Sequence, residues 1–245
     1  DLSITLATAH AFRPSAGSNT LTVTGDVTIV EGKLGDITNY TGAISFGSLT
    51  IEGGGTYIAT NGTTTITSEG AGGGDYALYN QGTFTHNGGT LAIEINTSTR
   101  LFMDADNLHN LITGKASGAD SNLTYFGGSA TTTTVANDLT VLSGRFRGYN
   151  ANNLLTVTGD VSVTGDLSYD GATAAMTFGS LTIESDGEYH ATSGITTLNG
   201  SLANSGTFTH NSGTTTFATA GAKTITGSST TALYNLILNQ LGSNL

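Results

Sequence analysis

Leu21-Thr22-Val23-Thr24-Gly25-Asp26-Val27 returns letter for letter as Leu155-Thr156-Val157-Thr158-Gly159-Asp160-Val161. Leu and Val alternate with Thr, the period of an extended strand with one side buried. Gly-Asp then ends the run with residue types that favour a turn. A short strand closed by a turn and repeated far along the chain points to a repeat architecture.

The match extends outward on both sides. Residues 45–52 read SFGSLTIE and residues 177–184 read TFGSLTIE. YIATNGTTTI from Tyr57 is answered by YHATSGITTL from Tyr189, and GTFTHNGGT from Gly82 by GTFTHNSGT from Gly206. Leu108-His109-Asn110-Leu111-Ile112 is answered by Leu233-Tyr234-Asn235-Leu236-Ile237. The separation falls from 134 at Leu21/Leu155 to 124 at Gly82/Gly206, largely across SEGAGGGD at 68–75. That stretch reads as a loop insertion at a turn. Asp1-Leu2-Ser3-Ile4 also aligns with Asp138-Leu139-Thr140-Val141. Residues 1–137 therefore form one long repeat and 138–245 a second, incomplete one. We read them as one continuous domain, excerpted from a longer chain.

Within each long repeat, runs such as LTVT, LTIE, TTTIT and TFTH recur, each followed by Gly, Asn, Asp or Ser. The expected fold is all-β: a right-handed parallel β-helix (β-solenoid) of roughly ten coils, each about 20–26 residues. Stacked at strand spacing, it makes an elongated rod on the order of 50 Å long. Leu49, Ile51 and Phe84 should face inward, with Thr50, Thr83 and Thr85 outward. A sandwich or up-and-down barrel is built from hairpins and fits stacked near-identical strands less well. Helical periodicity is nearly absent; 104–112 is the one stretch where a helical turn would fit.

The strings GSLTIESDGEYHATSGITTLNGSLANSGTFTHNSGTTTF (179–217) and TITGSSTTALYNLILN (224–239) resemble repetitive β-helix proteins of marine bacteriophage virions and of large bacterial surface adhesins. The resemblance covers nearly the whole chain. It implies a rod displayed on a virion surface or in the extracellular space, and it carries over no catalytic residue.

Composition narrows the functions. Seven basic residues stand against 18 acidic ones, for a net charge of −11, which argues against nucleic-acid binding. No Cys is present, which removes disulfides and thiolate chemistry. No apolar run is long enough for a membrane-spanning helix.

Chemically suggestive residues are few. Asp104 and Asp106 flank Ala105 and would share one side of an extended strand, so they are the candidate pair for Ca2+ or for acid/base work. The Gly-Asp pairs at Asp26, Asp36, Asp160 and Asp166 lack calcium-repeat spacing and read as turns. His86 and His210 occupy equivalent places in TFTHN, too far apart to share a site. Tyr57, Tyr76, Tyr79, Tyr149, Tyr189 and Tyr234 could stack on sugar rings. Of these, Tyr76, Tyr79 and Tyr149 are retained as candidate surface-binding residues, although the sequence alone shows no cluster. Thr pairs such as Thr63/Thr65 and Thr132/Thr134 fall too irregularly to suggest a lattice.

The expected function is a virion or extracellular structural rod: a phage fibre, spike or decoration segment. Neighbouring virion or surface proteins, further copies of itself and cell-surface glycans are its expected partners. A bacterial cell-surface adhesin segment is the first alternative. A polysaccharide-cleaving tailspike-type enzyme is the second, although no catalytic motif and no cofactor are expected.

Overall fold

A four-residue strand with one apolar side cannot bury that side alone, so each run is satisfied by the equivalent run one coil on. The computed structural model describes residues 1–245 except 8–9, 15–16, 36–39, 71–74, 104–106, 116–122, 127–131, 170–171 and 240–245. Every strand pair among the described residues is parallel, and no helix is present among them. The fold is a parallel β-solenoid of about 9 turns.

Each coil crosses three faces. In the middle of the chain, Arg145–Gly148 lies on the first face, Leu154–Val157 on the second and Val161–Val163 on the third. Asp166–Ser168 then returns to the first face and pairs with Arg145–Gly148. In the first half, two long strands, Val27–Leu34 and Leu49–Ile58, run round a corner without a break. Residues 49–51 pair on the first face with Tyr76–Asn80, and 56–58 on the second with Thr83–Thr85. Gly32 makes the corner in the earlier strand at φ +84°, where a side chain would be strained. The third face is a 10-stranded sheet from Leu21–Val23 to Ile225–Thr226.

The core is the stack of inward side chains. Leu139, Val161, Leu181 and Leu202 line up on the third face and are buried, as are Phe146, Leu167, Tyr189 and Phe208 on the first. Burying each such aliphatic side chain contributes about 1.5–3 kcal/mol. Leu49, Ile51 and Phe84 face inward as the alternation requires. The helical turn considered at 104–112 is not found in its described part. Leu108 bridges in parallel to Val135, and Asn110–Thr113 is a third-face strand.

The long repeat does not contain a whole number of coils. Leu21–Val23 lies on the third face, but its counterpart at 155–157 lies on the second. Residues 49–51 lie on the first face, and their counterpart Leu181–Ile183 on the third. Thr83–Thr85 is on the second face and Thr207–Thr209 on the first. The second repeat is thus turned by one face relative to the first. The three walls tolerate this because each asks the same of its strand: an aliphatic or aromatic residue in, a small polar one out.

Register also orders Thr residues that the sequence scatters. Thr134, Thr156, Thr177, Thr197 and Thr216 stand on consecutive rungs of the second face. The neighbouring outward file includes Thr132, Leu154, Ile195 and Thr214, so the hydroxyls form a line and not a two-dimensional lattice.

Candidate functional site

Alternation within Thr99–Met103 turns Leu101 and Met103 inward and leaves Arg100 and Phe102 on the other side. Parallel register then fixes their neighbours. Arg100 stands opposite Tyr76 on one side and Tyr125 on the other, and Tyr125 stands opposite Arg147. Tyr, Arg, Tyr and Arg therefore alternate over four rungs of the first face.

The rings and guanidinium groups touch. The Arg100 guanidinium lies 4.4 Å from the ring centre of Tyr149 and 5.7 Å from that of Tyr76. Arg147 lies 5.4 Å from Tyr125, and Tyr125 meets Tyr149 edge-on at 5.7 Å. Tyr79 stacks on Phe102 at 5.0 Å and contacts Tyr76 at 4.8 Å. Tyr76, Tyr79 and Tyr149, which looked unrelated in sequence, belong to one patch linked through Arg100. Tyr149 is 41% exposed, whereas Phe102 is covered by its neighbours. Cation–π contacts of this kind contribute about 0.5–1 kcal/mol each at exposed sites.

Beside the ladder, at the corner leading to the second face, a polar cleft of about 130 Å³ is lined by Arg147, Gly148, Tyr149, Asn150, Ser168 and Tyr169, among others. Tyr169 is buried, and its hydroxyl has no hydrogen-bond partner among the described residues. Burial, with Tyr189 nearby, pushes its pKa well above that of an ordinary tyrosine, so it stays a neutral hydroxyl. Gly148 is required here, because a Cβ on it would come within 2.6 Å of the Tyr169 hydroxyl oxygen.

Further along the same face the outward residues are ionic. Arg145 pairs with Asp166 at 2.6 Å, and the Ser168 hydroxyl donates to Asp166. Glu188 and His190 lie on the next rung, 3.3 Å apart. Asp166, Glu188 and His190 each offer a ligand atom within 4.8 Å of the others. Asp166 is already engaged by Arg145 and Ser168, so the group reads as an ion-pair network.

The other candidates fall elsewhere. Asp104 and Asp106 lie outside the described residues. Asp36 also lies outside them. Of the other Gly-Asp carboxylates, two hold turns: Asp26 accepts from the Ser48 hydroxyl at 2.8 Å, and Asp160 accepts from the Ser180 backbone N–H at 3.1 Å. Asp166, read as a turn residue, instead opens the strand Asp166–Ser168, where it meets Arg145. Tyr57 and Tyr189, read as candidates for sugar stacking, are fully buried core residues. Each hydroxyl instead reaches an inward threonine, Thr64 at 2.7 Å and Thr196 at 2.9 Å. Tyr234 is exposed and stacks on His210 at 5.5 Å.

Sequence reasoning missed a histidine pair. His86 stacks on His109 at 5.2 Å with the rings 17° from parallel. The signal was present: LHNLI and LYNLI put His109 and Tyr234 at matching places, each one coil beyond the TFTHN histidine. Burial and the adjacent His109 hold His86 below the usual histidine pKa.

Compared with known proteins, the chain matches no family model, no curated protein and no solved structure. The functional reading therefore rests on the geometry described above.

Proposed function

We propose that the chain is a segment of a structural rod displayed on a virion or outside a cell, and that it makes surface contacts through the first-face ladder. The observation that carries this reading is the combination of a parallel solenoid of about 9 turns with an aromatic and cationic patch, seen among the described residues, on a chain of net acidic charge. Stacked coils build reach with little sequence novelty, and acidity favours solubility. Aromatic rings exposed beside cations suit contact with glycans or with a neighbouring protein. A phage fibre, spike or decoration segment fits first, and a bacterial adhesin segment second. Antibody-gold labelling of purified phage particles and of bacterial cells tests the location. Gold confined to the cytosol, with neither particles nor cell surface labelled, sinks both.

An enzymatic reading has one observation in its favour. Asp166 and Glu188 are carboxylates on adjacent rungs of one face, and glycoside hydrolysis uses a pair of carboxylates that flank the bond to be cleaved. Its test is polysaccharide cleavage by the wild-type chain and by Asp166→Asn. Product that disappears in the variant favours an enzyme, and no cleavage by wild type removes the idea for the polymers tried.

A further inference from the structure

The first face gathers basic residues that are scattered elsewhere in the chain. Three of the seven basic residues, Arg100, Arg145 and Arg147, stand within it. Arg145 is neutralised by Asp166. Arg100 and Arg147 have no carboxylate partner among the described residues; aromatic rings hold them instead. A guanidinium held by its face keeps its N–H edge for a planar oxyanion, which it can engage through two parallel hydrogen bonds. The two stand two rungs apart, about 10 Å at strand spacing. One extended anionic chain could therefore meet both.

The cleft supplies a second, independent sign. It opens beside Arg147 and Tyr149 and includes the buried Tyr169, whose hydroxyl lacks a partner among the described residues. A buried hydroxyl without a partner destabilises the fold unless something satisfies it. Nucleic acid would need a longer track of positive charge than this acidic rod offers. A neutral glycan would leave the guanidinium groups unused.

We infer that the ladder and the adjoining cleft form a binding site for a carboxylated polysaccharide. Its sugar rings pack on Tyr149, and its carboxylates meet Arg100 and Arg147. This rests on the surface-contact role proposed above and names the chemistry of the contact.

The test is affinity electrophoresis of the whole chain in gels containing polygalacturonate, its fully methyl-esterified form or dextran sulfate. Retardation is expected with polygalacturonate and not with the esterified polymer. Arg100→Gln and Arg147→Gln should each weaken binding about tenfold, the loss of one charge-assisted contact. Tyr149→Ala should weaken it about threefold or more. Tyr169→Phe, which keeps the ring against Phe126, should weaken it about threefold while leaving the circular dichroism spectrum unchanged.

Equal retardation by the esterified polymer would overturn the acidic specificity and leave a general glycan-binding face. Dextran sulfate binding as tight as polygalacturonate binding, and unaffected by Tyr149→Ala, would reduce the site to charge alone and overturn it. Lack of retardation by polygalacturonate, or folded arginine variants that bind like wild type, also overturns it. None of these results touches the rod reading, which the labelling experiment decides.

Discussion

Gly206 shows how closely successive coils approach at a single residue. A Cβ there would sit 2.2 Å from the Gly187 carbonyl oxygen and 2.3 Å from that of Glu184. Both atoms are backbone in the coil before, so neither can rotate away. Gly82, its counterpart in the first repeat, meets the Glu52 and Gly55 carbonyl oxygens at 2.3 and 2.4 Å. Gly206→Ala should therefore cost about 1–3 kcal/mol, read as a lower urea midpoint; an unchanged midpoint would show the coils to be looser than this. His86 makes a different residue-scale prediction. Its Nδ1 accepts the Gly88 backbone N–H at 3.0 Å, an interaction open only to an unprotonated nitrogen. With its folded pKa below the unfolded value of about 6.5, His86 binds protons less well in the folded chain. Its contribution to stability is full above about pH 6.5 and is lost as pH falls through that value toward the folded pKa. His86→Gln should flatten this part of the pH–stability curve, measured by urea unfolding between pH 5 and 8. A variant that loses stability as steeply as wild type across this range would remove His86 as the cause.

Strands in this molecule are joined across faces by side chains as well as by turns. Tyr189 rises from the first face among Phe178 and Phe208 and bonds Thr196 on the second. Thr196 is itself buried. Tyr189→Phe leaves that hydroxyl without its tyrosine partner and should cost about 1–2 kcal/mol. Adding Thr196→Val, which removes the stranded hydroxyl, should recover most of the loss in thermal unfolding. A double variant no more stable than the single one would place the cost in ring packing. The strands themselves were legible, because Leu21, Val23, Leu49 and Ile51 alternate with Thr and Glu and Gly or Asp punctuates them. The Tyr57 and Tyr189 roles were not. Tyr57 lies between Thr56 and Ile58 and Tyr189 between Glu188 and His190, and composition gives no sign that a polar-tipped aromatic points inward toward a threonine seven residues on. The ladder was hidden for a related reason. Tyr76, Arg100, Tyr125 and Arg147 are each separated by more than 20 residues, and only the length of each coil brings them into one file.

At the scale of the whole rod, the register between stacked strands is the quantity that must be conserved, while the wall a motif occupies is free to change. Turns absorb the difference between a coil at Leu49/Leu78 and a shorter one at Val161/Leu181. The one-face rotation between the two long repeats shows that LTVT and LTIE serve any wall. It also explains why a repeat of 134 residues did not reveal the coil directly. Register does reveal it: Val161 pairs with Leu181, so residues 161–180 form one coil. Deleting them joins Asp160 to Leu181 and brings each later strand one rung back on its own wall. Glu188 then takes the place of Asp166 opposite Arg145, and Tyr189 takes that of Leu167 beside Phe146. The shortened chain should keep its β-sheet circular dichroism and unfold in one cooperative step, with a denaturant slope lower by about a tenth because less surface is exposed. Deleting Thr156 alone removes far less chain but brings Leu155 against Val157, so one of them must turn outward. That single-residue deletion should lower the urea midpoint more than loss of the entire coil. The reverse order would mean that stability follows chain length and not the register of stacked walls.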